Sequence, residues 1–318
     1  MGPDGSSPVS SVVVPTRGDS ARLRAALESV RATADIEIVL VHDRRDGESP
    51  LPDTFGRHVR IVESPQPGPA AARNAGLEAA GGRFAAFLDD DDLWLPGHLD
   101  RACRTLHAEP SALLVACDAY RMDDATPDGS ASPPEDPRTL RRLGMRSGSG
   151  EITRRELLLG NPILTPTVVL DRKRLDVSDR FRTELPVMED YDLWLRLSAR
   201  HRLLFDDEAR VIVRKRAGSA SGDHRAIAWN SLVILEPLLH GSGRPLLAPA
   251  EVNRRLGGLW HDLAWALLAE DDPAAARQAL RRSLAHLPLR LKSYIYVVAS
   301  VFPGPMRRAL FAGGRGLR

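Results

Sequence analysis

An α/β fold with a mostly parallel, doubly wound sheet and an α-helical carboxy-terminal extension is predicted for this 318-residue chain from three observations. In the first third, short β-branched or Ala/Phe/Leu runs alternate with stretches of helical spacing, the pattern of βαβ units. Most of these runs end in polar residues, and ligands of such sheets bind beyond the carboxyl ends of the strands. The last third carries helical spacing only.

Taken in order, Val9–Pro15 (VSSVVVP) reads as a buried strand, and Ser20–Arg31 as a helix with apolar positions at Leu23, Ala26, Leu27 and Val30. Ile36–Val41 and Val59–Glu63 are the second and third strands. Ala70–Ala80 is a helix, Phe84–Leu88 the fourth strand and Gly97–His107 a further helix. Arg121–Gly150 is rich in Pro, Ser, Asp and Gly; a loop of that length is either a functional lid or disordered. Thr153–Gly160 is a short helix capped by Thr153, and NPILTPTVVLDRKRLD gives a loop, a strand and a small helix. Acidic residues open the helix DLWLRLSAR, whose buried stripe includes Leu193, Trp194 and Leu197. Leu203–Phe205 and Ala209–Val213 read as two edge strands.

Residues 1–8 form a frayed start with no signal peptide, 9–222 the principal domain, and 223–318 the helical extension. Within the extension, Asp272 and Pro273 start the second helix of a hairpin similar to one tetratricopeptide-like unit.

With 43% apolar and 27% charged residues, the chain can bury a proper core. A net charge of +2 hides a basic carboxy-terminal end: from Pro273 to Arg318 basic residues stand at 277, 281, 282, 290, 292, 307, 308, 315 and 318, with no acidic one. Cys103 and Cys117 have no CxxC spacing and read as free buried thiols of a reducing compartment. The turn after the first strand, PTRGDS, carries neither GxGxxG nor a P-loop, which disfavours a dehydrogenase and a P-loop enzyme. Basic residues without interleaved aromatics argue against nucleic acid as a partner.

The most informative motif is Asp89-Asp90-Asp91-Asp92, directly behind Phe84–Leu88 and ahead of Leu93, Trp94, Leu95 and Pro96. Four like charges in one spot repel by on the order of several kcal/mol unless a cation neutralises them. A solvated acidic turn is the alternative, but apolar flanks on both sides favour a divalent ion. Hard oxygen ligands suit Mg²⁺ or Mn²⁺, which take the rest of their shell from water and substrate phosphates.

In this order and spacing, SVVVPTRGDSARLRAALESV, IEIVLVHDRRDG, GPAAARNAGLEAAGGRFAAFLDDDDLWLP and MEDYDLWLRLS resemble the family 2 glycosyltransferases of GT-A fold, over roughly Val9–Ser221. The resemblance implies an inverting transferase that moves a sugar from a nucleotide-sugar, most simply a UDP-sugar, to an acceptor hydroxyl. It implies that Pro15, Thr16 and Asp43 hold the nucleotide base, that Arg73 faces the diphosphate, and that the DxD motif falls on Asp89 and Asp91, with Asp90 between them on the donor side. Asp89 and Asp91 would hold Mn²⁺ or Mg²⁺. Arg216 takes roughly the place where relatives carry a phosphate-side His, with His224, later in the chain, as the alternative. Asp190 becomes the general base, with Glu189 and Trp194 on the acceptor side. The acceptor would be a glycan, a lipid-linked molecule or a small molecule.

The chain departs from the family where His42-Asp43-Arg44-Arg45 replaces the usual residues after the second strand. A sugar-phosphate nucleotidyltransferase and a catalytically silent GT-A-like binding module are the competing readings. The first would want a glycine-rich loop after the first strand; against the second, both acidic motifs are intact.

The cytoplasm is the expected location. Near the end, LPLRLKSYIYVVASVFPGPMRRALF is too short in its apolar stretch to span a bilayer. It suits either a peripheral contact with the anionic inner face of the plasma membrane or a helix packed on the domain.

Overall fold

The computed structural model describes residues 10–18, 20–30, 35–43, 51, 55, 59–123, 133–215, 222–241, 245–304 and 306. The chain divides into two compact units, Met1–Gly218 and Ser219–Arg318.

The first unit begins with β1 (Ser10–Thr16), α1 (Ala21–Ser29), β2 (Ile36–His42), β3 (Val59–Glu63), α2 (Pro69–Ala79) and β4 (Phe84–Phe87). It continues with β5 (Leu93–Trp94), α3 (His98–Ala108), β6 (Ala112–Asp123), β7 (Arg141–Arg142), β8 (Gly150–Ile152), α4 (Arg154–Leu159), β9 (Val169–Asp171), α5 (Glu189–Leu197) and β10 (Arg202–Lys215). The sheet runs in the order β3-β2-β1-β4-β9-β6-β10-β5, with β7 on β6 and β8 on β10.

β1, β2, β3 and β4 are parallel, so Val13 stands opposite Val39 and Phe87 at the centre of the sheet. These positions are fully buried, each worth about 1.5–3 kcal/mol as a side chain removed from water. β9 runs antiparallel between β4 and β6, which makes the sheet mixed. α2 lies so close on β1 that a Cβ at Gly76 would come within 2.2 Å of Val13 Cγ1. Only glycine permits that approach.

Two expectations are corrected. The segments expected as separate edge strands are one 14-residue strand, β10, paired with β6 and flanked by β5 and β8. Register shifts between Asp206, Ala209 and Val211 let the polar Asp206-Asp207-Glu208 stretch bulge without ending the strand. The 121–150 segment is not loop throughout, because β6 continues to Asp123 and β7 and β8 pair within it. The fully buried Asp118 pins it: its carboxylate accepts from Arg142 Nε at 2.6 Å and Met145 N at 3.1 Å. α4 has the expected Thr153 cap, completed into a capping box by Glu156.

The second unit holds α6 (His224–Leu239), α7 (Pro249–Ala269), α8 (Pro273–His286) and α9 (Leu291–Ala299). α7 and α8 form the hairpin, joined where Ser283 donates to the Gly257 carbonyl at 2.8 Å.

Candidate active site

At the carboxyl ends of the strands the backbone knits the site together. The N–H of Asp43, just past β2, donates to the Thr16 carbonyl at 2.7 Å. Asp43 Oδ1 in turn accepts from Gly68 N at 2.9 Å. Gly68 has φ +114°, open to glycine, and caps α2, whose first helical residue is Pro69. Asp43 is therefore a buried brace between the end of β2 and the amino terminus of α2.

The four carboxylates after β4 part company. Asp89 Oδ1 accepts from Arg73 Nη2 at 2.8 Å, and Asp90 Oδ2 accepts from the Thr16 hydroxyl at 2.7 Å. Asp89, Asp90 and Asp91 stay half-buried. Asp92 turns inward and accepts from the Arg214 N–H of β10 at 2.9 Å. Burial, then Asp89 and Asp91, hold its pKa well above the carboxylate range, against the N–H and charge of Arg214.

Arg73 sits in the middle, buried rather than on the surface. Its Nη1 donates to Glu189 Oε1 at 2.5 Å while Nη2 holds Asp89. Its guanidinium lies 5.7 Å from the centre of the Phe181 ring. Burial opposes its charge, but Asp89 and Glu189 outweigh that and keep its pKa above the ordinary value. Next to it, Asn74 clamps the Phe181 backbone with two bonds, donating to its carbonyl at 2.8 Å and accepting from its N–H at 2.9 Å.

α5 opens at Met188, a non-glycine residue in the left-handed region at φ 67°. Such a conformation costs on the order of 1–3 kcal/mol and persists only where its surroundings impose it. Behind it, Glu189 and Asp190 take different partners. Glu189 is buried against Arg73; Asp190 is half-buried, with Oδ2 accepting from the Thr165 hydroxyl at 2.8 Å and Oδ1 from Tyr191 N at 2.6 Å.

Burial pushes Glu189 up to about 7, with Arg73 opposing and Asp190 adding to the rise. Asp190 is raised as well, by burial first and by Asp89, while Arg73, Thr165 and the Tyr191 N–H oppose. The sign for stability follows. A folded-state pKa above the unfolded one means that folding takes up a proton, so Glu189's contribution is fully present below about 4.5 and is lost as pH rises through about 7. Urea unfolding at pH 5 and pH 8 is expected to show Glu189→Gln gaining on the wild type as pH rises; a gap independent of pH would contradict this.

Trp194 does not line an acceptor surface. It is fully buried, edge-on to Phe181 at 6.0 Å, because the stripe of α5 that carries it faces the core. Thr165 and Thr167 are buried too, and the Thr165 hydroxyl donates to Asp190. Arg216 lies outside the described residues. Phe181 and the Arg214 N–H belong to the arrangement although nothing in the sequence marked them. Cys117 lies 3.7 Å from His98 Nδ1, yet burial raises the thiol to about 12 and lowers the imidazole to about 3, so the pair is not a nucleophile and base.

Residues 11–161 match the model of glycosyl transferase family 2. The chain carries a domain of that family. An uncharacterized glycosyltransferase of Rickettsia prowazekii is 23% identical over 239 residues, 74% of this chain and 71% of the relative. The chain spans only 32% and 36% of two further Rickettsia glycosyltransferases. Among solved structures, S. aureus TarS 1–349 in complex with UDP-GlcNAc has a TM-score of 0.56 at 16% identity, over 97% of this chain and 93% of that one. The mannosyltransferase PcManGT from Pyrobaculum calidifontis, in complex with GDP-Man and Mn²⁺, has a TM-score of 0.55 at 18% identity, over 97% and 85%. The fold of the family 2 domain is therefore the GT-A type.

Proposed function

We propose that this family 2 domain transfers a sugar from a nucleotide-sugar, most simply a UDP-sugar, to an acceptor hydroxyl with inversion at the anomeric carbon. One arrangement carries the reading: Arg73 ties Asp89 at the end of β4 to Glu189 at the start of α5, beside Asp190. Donor-side and acceptor-side acids are thus within electrostatic reach of each other, since Asp89 contributes to the raised pKa of Asp190. Pro15, Thr16 and Asp43 would border the base, and Asp89, Asp90 and Arg216 the ribose and diphosphate.

Asp89 and Asp91 fit a Mn²⁺ or Mg²⁺ ion that arrives with its substrate. They offer hard, half-exposed oxygens, and among the described residues no group of three His, Cys, Asp or Glu could hold an ion unaided. When bound, the ion would offset the charge developing on the departing nucleoside diphosphate. PcManGT, of similar fold, is described with GDP-Man and Mn²⁺, which supports this choice of ligand class.

Asp190 would accept the proton of the acceptor hydroxyl, which is a feeble nucleophile while it keeps that proton. Thr165 and the Tyr191 N–H orient the carboxylate, and burial raises its basicity. Attack from Asp190's side, opposite the leaving diphosphate, inverts the centre. The acceptor would be a glycan, a lipid-linked molecule or a small molecule. We place the chain in the cytoplasm, with its second unit touching the inner face of the plasma membrane. No helix among the described residues is long and apolar enough to cross a membrane.

Thermal shifts with UDP, GDP and dTDP in the presence of Mn²⁺ test the reading. Ligand at a hundredfold excess over Kd stabilises by about 2.7 kcal/mol, a rise of several degrees in Tm for a domain of this size. One nucleotide is expected to give that rise, and Asp91→Ala to lose its Mn²⁺-dependent part. No response to any nucleotide would sink the proposal.

A further inference from the structure

α9 leaves most of its large apolar side chains in water. Leu291, Ile295, Val298 and Phe302 recur at helical spacing along its length and just past its end, and all are exposed, Leu291 by 77% and Val298 by 58%. Tyr294, Val301 and Met306 widen the same apolar surface. The buried side carries Ser293, Tyr296, Ala299 and Ser300: the Ser293 hydroxyl lies 2.9 Å from His261 Nδ1 and 3.2 Å from Ser283 Oγ, and the Tyr296 ring stacks on His261 at 4.6 Å. A helix that buries only Tyr296 and Ala299 beside two serines, and turns Leu291, Ile295, Val298 and Phe302 outward, forgoes about 25 cal/mol for each Å² of apolar surface left in water. Patches of this kind mark a partner or membrane surface.

Beside this helix lies a cavity of about 430 Å³, lined by His224, His261, Asp262, Trp265, Arg290 and Lys292 among others. Arg290 Nε is buried without a hydrogen-bond partner. The two cations are felt in the cavity: after burial, Arg290 and then Lys292 are what lower His261 to about 4. With Asp262 the only acid named in this lining, the cavity keeps a net positive charge, and the chain from Pro273 onward contains no acidic residue at all.

We propose that the second unit docks on an anionic phospholipid surface, the exposed stripe of α9 entering the headgroup–acyl boundary while the Arg290/Lys292 cavity receives a phosphate headgroup. Apolar burial supplies the affinity, and the basic residues supply the preference for anionic lipid. Apolar and basic residues combined at one element, the exposed stripe of α9 with Arg290 and Lys292 at its start and no acidic residue from Pro273 onward, favour an anionic lipid over a protein partner. The proposal refines the membrane contact above and does not depend on sugar transfer.

Flotation of the full chain with vesicles of phosphatidylcholine alone, or mixed with phosphatidylglycerol, tests it. The chain is expected to float with the mixed vesicles and to be released by high salt. Ile295→Glu with Val298→Glu changes exposed positions only, so it should fold normally and lose flotation. Arg290→Ala with Lys292→Ala should weaken binding to mixed vesicles roughly thirtyfold, from about 1 kcal/mol per basic residue. Inorganic phosphate should not compete, which separates a headgroup within a surface from free anion.

Truncation after Met306 should leave flotation in place. Loss of flotation on that truncation would assign binding to the tail and overturn the role of α9. So would a chain that ignores the vesicles and forms dimers disrupted by Ile295→Glu, since a second copy would then cover the stripe. Nucleotide thermal shifts report separately on the first unit, so failure of either reading is distinguishable from failure of the other.

Discussion

Asp190→Asn is expected to lower the rate of sugar transfer by 10²- to 10⁴-fold, the usual contribution of a positioned general base, while nucleotide affinity stays at the wild-type value. The asparagine keeps one acceptor oxygen for either Thr165 or the Tyr191 N–H. Loss of the other bond should cost about 1 kcal/mol of stability, too little to unfold the domain. Steady-state kinetics with a matched donor and acceptor would show the loss in kcat, with KM for the donor little changed. NMR of the wild-type product should show the inverted anomeric configuration. Retained configuration, or an Asp190→Asn enzyme of full activity, would remove Asp190 from the role.

What makes Asp190 available for that role is a division of labour that the sequence shows only in part. The acids after β4 and at the start of α5 were both visible, because acidic residues against apolar runs are rarely mere solvation. The Thr153 cap of α4 was legible for the same reason: a capping box is a local contract between residues three apart. Local spacing does not say which way each carboxylate turns. Asp92 finds the Arg214 N–H 122 positions away, and Arg73 finds Glu189 116 positions away. Both depend on how β4, β10, α2 and α5 meet, and no window of sequence contains that.

Trp194 shows the converse error. Placed next to catalytic-looking acids, it reads as part of an acceptor surface, but helical spacing already assigned it to the stripe with Leu193 and Leu197, and burial follows the stripe. β10 reads as two strands in the sequence because Asp206-Asp207-Glu208 interrupts its apolar runs; a bulge absorbs the polar residues while the strand continues. β7 and β8, two and three residues long, are too short to carry a periodicity at all.

Arg73→Met is expected to be among the most damaging single substitutions in the first unit. Its guanidinium is the shared cation of Asp89 and Glu189, and Glu189 is only 7% exposed. Breaking a buried pair by removing one partner typically costs about 3–5 kcal/mol, because a charge is left unpaired away from water. Part of that cost should be relieved by protonation, since Glu189 already sits near 7 with Arg73 in place and can only rise further without it. Arg73→Met should therefore lose more stability at pH 8 than at pH 5, measured by urea unfolding. A triple variant, Arg73→Met with Asp89→Asn and Glu189→Gln, removes the unpaired charges together and should recover much of the loss. If the triple variant were no more stable than Arg73→Met alone, the residue would act by filling space over Phe181 and not by neutralising two acids. Lys at position 73 should rescue poorly, because a single ammonium cannot reproduce the two-pronged geometry that spans β4 and α5.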